Sequence, residues 1–396
     1  VQMSELSALL TREGLALLDE LGPVGSASDV ARAVSRLRAA GHSPDLVSAV
    51  VGQAHLRVKA RDKFGEFAER MLFTRAGLEQ ATRLGVAALH AVRMRQAGIA
   101  RVADLGCGIG GDSLAFAAAG LRVDAVDADE VTAAIAAYNL APFGDAVTVR
   151  HAAADAAPAG DSASAVWLDP ARRTAGHSET RRVAASDYSP ALDWCLDLAT
   201  RMPTGIKLGP GLDRDLVPSD VEAQWVSADG SVVELVLWSR ELAREGIRRA
   251  ALVVHGDRTD EITAPADAED EPVRPLGAYL HEPDGAVIRA RLIGEAARML
   301  DAGMLDESIA YLTGDAALTS PFVQSFRVRE TMPAHVKTIN AALRAHDIGR
   351  LEIKKRGMDV DPAAFRKKLS LRGSQQATLI LTRTSGGRVA ILADRV

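Results

Sequence analysis

The sequence predicts an α/β fold: a parallel sheet covered by helices on both faces, a helical region before it and a small α+β domain after it. Three observations predict this. A glycine-rich loop, Gly106-Cys-Gly-Ile-Gly-Gly111, joins a short apolar strand (Val102, Ala103, Leu105) to a helix beginning near Ser113. From Arg101 onward, strand-like and helix-like runs alternate, as parallel strands with crossover helices require. Past about Arg249 the pattern changes, and from Phe322 the chain becomes basic. Residues 323–396 hold 15 Lys and Arg against 6 Asp and Glu, a net +9, while the remainder carries −14. An acidic body with a basic end suggests that the end meets a polyanion.

Composition narrows the class. A chain of 396 residues has room for two or three domains with sizeable cores. Its 47% hydrophobic and 25% charged content is that of a soluble globular protein. Cys107 and Cys195 are the only cysteines, so neither a disulfide framework nor a cysteine-based zinc site is expected. Two reduced thiols, with no apolar leader and no long apolar run, fit a cytoplasmic protein. The nine histidines are scattered without ligand spacing, and no metal is expected.

The elements follow in order. Ser4 to Leu21 carries Leu6, Leu9, Leu10, Leu17 and Leu18 without proline and reads as helical. Ser28 is the expected cap of a helix presenting Val30, Val34 and Leu37, closed by Gly41. Ser43 caps the next, with Pro44 in its first position. This region, 1–62, reads as a structural appendage, with a substrate lid or RNA-docking face as the sharper alternative. Phe64 to Arg93 adds one or two helices. The helix behind the glycine loop offers unpaired N–H groups to a ligand at the carboxyl end of a strand. The second strand, Arg122–Val126, ends at Asp127-Ala128-Asp129. An acidic residue there suits a ribose diol, and Asp127 fits better than Asp129, which starts the next helix. The third strand, Val147–Arg150, leads to Asp155. The fourth, Ala165–Leu168, runs into Asp169-Pro-Ala-Arg-Arg173. The fifth, Gly205–Leu208, contains Lys207, read as a snorkelling side chain, with a place at the cofactor edge as the alternative. Ala223–Ser227 and Val232–Trp238 flank Asp229-Gly230 and form a hairpin. Residues 249–321 read as a connecting region with an exposed acidic loop over 257–284 and a helix over Ile288–Leu300. Residues 322–396 form the basic domain, and 63–248 the domain around the glycine loop.

Asp104, two residues before Gly106-x-Gly108-x-x-Gly111, makes this stretch resemble the glycine-rich motif of class I S-adenosylmethionine-dependent methyltransferases. The hairpin after five parallel strands resembles their Rossmann-like seven-stranded sheet, whereas a nicotinamide dehydrogenase would continue with parallel strands. The resemblance implies S-adenosylmethionine as cofactor, held by Asp104, Gly106, Cys107, Gly108, Gly110 and Asp112 at the loop. It places Asp127 and Ala128 at the ribose and Asp155 at the adenine amine. Glu79, Gln80 and Thr82, in the segment Phe73–Thr82, would lie across the pocket, a solvated helix face being the alternative. Asp169 and Pro170 match the first half of the Asp/Asn-Pro-Pro-aromatic tetrapeptide of methyltransferases acting on nitrogen, while Ala171 and Arg172 replace its second proline and aromatic residue. Asp169, Pro170 and Arg172 are therefore the implied catalytic positions, Asp169 orienting the nucleophile and Arg172 stacking on a base or pairing with phosphate. The core is also similar, through motifs, to the trimethylguanosine synthase group.

The last 75 or so residues resemble a THUMP-like domain, most specifically at Glu352-Ile-Lys-Lys-Arg-Gly357. THUMP domains proper bind RNA. The resemblance implies RNA contact through Lys354, Lys355, Arg356, Arg366, Lys367 and Lys368. The expected function is methylation of a nitrogen of structured RNA, tRNA or rRNA. A methyltransferase for a protein or small molecule, and a non-catalytic RNA-binding protein that keeps the pocket, stay open.

Overall fold

Helices lead into the first strand of the computed structural model, which describes residues 3–156, 163–172, 188–384 and 386–396. α1 (Met3–Leu9) and α2 (Arg12–Leu21) divide the one helix expected there. Thr11 accepts a hydrogen bond from Gly14 N at 3.0 Å and so starts a new helix. α3 (Ala27–Ala39) is capped by Ser26 and not by Ser28. Ser26 and Asp29 bond each other's backbone N–H groups at 3.1 and 2.9 Å, a reciprocal capping box. Ser43 caps α4 (Pro44–Phe64) as expected, and α5 (Arg75–Gln80) and α6 (Leu84–Gln96) follow. Leu6, Leu9, Leu18, Leu37, Val47 and Val50 belong to the same apolar cluster as Phe64, Phe73, Phe116 and Trp167. The first sixty residues thus share a core with the glycine-loop region.

Next come β1 (Arg101–Leu105), α7 (Gly111–Ala118), β2 (Arg122–Asp127), α8 (Glu130–Leu140), β3 (Val147–His151) and β4 (Ala165–Leu168). A short ribbon, β5 (Ala171–Arg172) and β6 (Tyr188–Ser189), precedes α9 (Leu192–Arg201) and β7 (Thr204–Leu208). The strands lie in the order β3-β2-β1-β4-β7, all parallel. Leu105 pairs with Val126 on one side and Leu168 on the other. That register sets the segments after β1, β2 and β4 side by side. β8 (Glu222–Ala228) and β9 (Ser231–Trp238) are joined by Asp229 (φ 50°) and Gly230 (φ 78°), the two left-handed residues of a type I′ hairpin. Ser239 N bonds Thr204 O at 3.0 Å, which sets the end of β9 beside β7. Gly205 is required there by space: a Cβ would meet Trp167 at 2.6 Å and Trp238 at 2.8 Å.

The chain forms two compact units. The first comprises residues 1–208, 212–221 and 236–244, and the second 209–211, 222–235 and 245–396. In the second, β8 continues beyond its hairpin to a parallel neighbour, β10 (Arg249–His255), which pairs antiparallel with β11 (Arg258–Ala264). All seven strands expected from the sequence are present, and β10 and β11 are further strands of the second unit. β12 (Tyr279–Pro283), α10 (Gly285–Arg289), α11 (Ile293–Met299), β13 (Gly303–Asp306) and β14 (Ile309–Gly314) come next. β15 (Val323–Pro333), α12 (Val336–Ala345), β16 (Ile348–Lys355), α13 (Pro362–Arg366), β17 (Gln375–Thr384) and β18 (Gly387–Arg395) complete the chain.

Their sheet runs β13-β14-β12-β15-β18-β17-β16. Two expectations change here. The stretch 257–284 is not one loop, because it contains β11 and β12; and the helix over Ile288–Leu300 breaks at Arg291, which adopts φ 59°. The boundary expected at 322 falls inside this sheet. Alternation along β17 gives it two cores: Leu379 and Leu381 pack with Ile339 and Leu343 of α12, while Ile380 packs with Tyr311 and Phe326. Among the described residues, no helix is long and apolar enough to cross a membrane.

Candidate functional site

The loop after β1 is built from backbone. Gly106 and Cys107 N–H groups bond Val126 O at 2.8 and 2.9 Å. Gly106 (φ 102°), Gly108 (φ 56°) and Gly110 (φ 87°) hold conformations that L side chains rarely adopt. A Cβ at Gly106 would stand 3.4 Å from Asp169 O, and one at Gly108 would meet nothing within 4 Å. Cys107 is buried, and burial pushes its thiol well above the ordinary range, so it acts as a small apolar residue.

Asp104 is 1% exposed. Ser113 Oγ donates to its Oδ2 at 2.5 Å, while Oδ1 is buried and has no hydrogen-bond partner among the described residues. Burial raises its pKa to about 8, the charges of Asp112 and Asp169 adding to the rise and Ser113 and Lys207 opposing it. A buried acceptor left unbonded is costly. Together with the open space at Gly108, it fits a ligand that carries an ammonium group and hugs the loop backbone.

Asp112, in the first turn of α7, is the hub of a second buried cluster. It accepts from Thr82 Oγ1 at 2.9 Å and His90 Nδ1 at 2.8 Å, and Lys207 Nζ lies 3.8 Å away. Burial alone would raise its pKa. The charge of Lys207 and the bonds from His90 and Thr82 outweigh burial and hold it at about 2. Lys207 also donates to Thr82 Oγ1 at 2.8 Å and lies 2.5 Å from Asp169 Oδ2. It does not snorkel: it is 8% exposed and lies within a strand that is buried throughout. Pairing with two carboxylates is what makes an ammonium tolerable there. Lys63 donates to the carbonyls of Leu78, Glu79 and Ala81 at 2.7–2.8 Å, which closes α5 and carries the chain to Thr82.

Asp127, at the end of β2, accepts from Gly108 N at 3.0 Å and Asp129 N at 2.9 Å, and burial raises its pKa. Ala128 is exposed and its carbonyl accepts from His151 Nε2 at 3.1 Å. Asp129 caps α8 through Thr132 N. Asp169 is half-buried and Pro170 buried at the end of β4.

Thus Thr82, Asp104, Gly106, Gly108, Asp112, Asp127 and Asp169 gather around the ends of β1, β2 and β4. Gln80 and Asp155 do not join the buried cluster: both are exposed, one at the end of α5 and the other in the turn after β3. The side chain of Arg172, and Arg173 entirely, lie outside the described residues. Sequence reasoning missed Ser113, His90 and the partners of Lys207. The available signal was a lysine between Ile206 and Leu208 in a central strand, which needs a buried counter-charge.

The basic region divides. Lys354 and Arg356 are not free cations: Glu282 lies 2.5 Å from Lys354 Nζ and 3.6 Å from Arg356 Nη2. Lys354 also lies over the Phe326 ring and Arg356 over the Tyr311 ring. Arg366 donates to Leu351 O. Lys355, Lys367 and Lys368 are exposed and make no ion pair among the described residues.

The THUMP domain-like family matches residues 323–395, and a domain of unknown function (DUF8688) matches residues 2–60. Two relatives, from Mycobacterium tuberculosis strains CDC 1551 / Oshkosh and ATCC 25618 / H37Rv, are named uncharacterized S-adenosylmethionine-dependent methyltransferases. Each is 34% identical over 367 residues, which is 90% of this chain and 97% of the relative. The crystal structure of a putative methyltransferase from Porphyromonas gingivalis W83 shares the fold, with a TM-score of 0.73 and 20% identity over 90% of this chain and 92% of that one.

Proposed function

This chain belongs to the S-adenosylmethionine-dependent methyltransferases, and we propose that its acceptor is a nitrogen of structured RNA. The observation that carries this reading is the Asp169 carboxylate at the end of β4, next to a carbonyl that a Cβ on Gly106 would approach at 3.4 Å. The acceptor-orienting group and the cofactor loop are therefore neighbours.

S-adenosylmethionine supplies, when bound, a methyl group already activated on a sulfonium. The residues then need to position and to exclude water. In this reading Asp104 Oδ1 takes the methionine ammonium and the loop backbone lies along the cofactor. Asp127, fixed by two backbone N–H groups, offers its remaining lone pairs to the ribose hydroxyls. Asp169 accepts from the acceptor's N–H and so aims the nitrogen lone pair. Gly108→Ala tests the cofactor half. The strained φ costs about 1 kcal/mol of stability. The added methyl also fills the open space at the loop, so S-adenosylmethionine affinity is expected to fall by about tenfold or more, read by calorimetric titration. Wild-type affinity in this variant would move the cofactor elsewhere.

The basic end supports RNA. Asn340 donates to Lys368 O at 3.1 Å and accepts from Ser370 N at 2.7 Å, which ties α12 to the segment after α13. Lys337, one turn before Asn340, is exposed, as are Lys367 and Lys368. Reversing these three charges to Glu is expected to weaken binding of bulk tRNA and flatten the slope of log affinity against log salt by about 2. Fluorescence anisotropy across a salt series reads it. An unchanged slope would remove this face from the interface.

The deciding experiment supplies tritiated S-adenosylmethionine with total RNA from a strain lacking the gene, beside parental RNA and a protein extract. Label confined to the deletion-strain RNA is expected. The replacement of the second proline by Ala171 favours a second reading, a protein or small-molecule acceptor, and label in the protein extract would select it.

A further inference from the structure

Lys207 contacts more than the buried Asp112 cluster. Its Nζ is tied to Thr82 Oγ1 at 2.8 Å and faces Asp112 Oδ2 at 3.8 Å. Behind these, Asp112 is held by His90, and the His90 ring packs on Trp167 with centroids 4.5 Å apart. The ammonium is therefore anchored on one side by groups that packing holds still. On its other side it reaches Asp169 Oδ2 at 2.5 Å. The two carboxylates differ in exposure: the side chain of Asp112 is 8% exposed and that of Asp169 34%. A lysine kept only to neutralise the buried carboxylate would sit nearest to it. Lys207 sits nearest to the more exposed one.

We infer that Lys207 is a positioning residue for methyl transfer, holding one oxygen of Asp169 so that the carboxylate keeps one orientation toward the acceptor nitrogen. This rests on the reading of Asp169 as the acceptor-orienting group. A carboxylate has about four acceptor positions, so it can accept from more than one donor at a time. The chain Trp167–His90–Asp112–Lys207–Asp169 carries the rigidity of the core to the reacting end. In-line transfer is sensitive to such placement, since a displacement near 1 Å costs on the order of 100-fold in rate.

A double-mutant cycle tests this. Lys207→Met, Asp169→Asn and the pair are compared by single-turnover transfer of tritiated methyl at saturating cofactor, with cofactor affinity read by calorimetry. Each single variant is expected to lose about 10- to 100-fold in rate with cofactor affinity changed by less than about threefold. The double variant is expected to be no slower than Asp169→Asn alone, because Lys207 then has no carboxylate to hold. Additive losses, or a loss of cofactor affinity that accounts for the rate, would overturn the inference, since a structural role persists without Asp169. Should Lys207→Met not fold, Lys207→Gln keeps a donor of shorter reach and enters the same cycle with the same two outcomes. The cycle is run on whichever extract the wild-type protein labels. Coupling measured on protein leaves Lys207 standing and removes the RNA reading, while additivity measured on RNA does the reverse.

Discussion

Asp104→Asn is expected to lower S-adenosylmethionine affinity by about 100-fold while making the ligand-free protein more stable at alkaline pH. The two effects share one cause. Burial lifts the Asp104 carboxyl to about 8, helped by Asp112 and Asp169 and opposed by Ser113 and Lys207. A carboxyl raised above its unfolded value near 3.8 favours the fold most fully below that value. Its contribution is lost as pH rises toward 8. At pH 9 the folded chain carries a buried carboxylate with one unbonded oxygen. Asparagine has the same shape without the charge, and its carbonyl still accepts from Ser113. The gain at pH 9 is on the order of 2 kcal/mol and shrinks toward pH 4. The cost falls on the ligand, because the amide offers an ammonium no counter-charge. Calorimetric titration and thermal melts at pH 5 and pH 9 read both halves. An Asn variant that binds like wild type, or melts lower at pH 9, would refute this account of Asp104.

Asp112→Ala has the opposite sign. Burial acts against this carboxylate as well, but Lys207, His90 and Thr82 overcome it and hold the pKa at about 2. A carboxyl lowered below 3.8 gives stability that is present above that value and lost as pH falls through 2. Removing it leaves Lys207 and His90 buried around a hole. The expected cost is about 3–5 kcal/mol, the usual loss on breaking a buried charge cluster. For a unit of this size that lowers the melting temperature by roughly 10 °C. The wild-type protein should lose the corresponding stability only below about pH 4, and the Ala variant should show a shallower loss there. A loss below 1 kcal/mol at pH 7 would mean that Lys207 finds its compensation in Asp169 alone.

Asp104 and Asp112 lie eight residues apart in one motif, and nothing local distinguishes their titration. Features set within a few residues were legible: the glycine loop, the cap at Ser43, the cap at Asp129 and the Asp229-Gly230 turn. Even there Ser26 displaced Ser28 as a cap, because only Ser26 has Asp29 three residues on to close the box. In the basic region Lys354, Lys355 and Arg356 looked alike. The strand alternates faces, and Glu282, 72 residues before Lys354, neutralises one face and not the other.

The sequence by itself determined the α/β class, the succession of strands and helices along the chain, the glycine loop and which residue types stand at the strand ends, because these depend on periodicity and on contacts within a turn or two. Only the tertiary structure decided which carboxylate is proton-poor and which proton-rich, and that Lys207 joins Thr82 across 125 residues to reach Asp169. The reason is that burial and charge pairing are set by strand register and helix packing, which bring together side chains no local pattern relates.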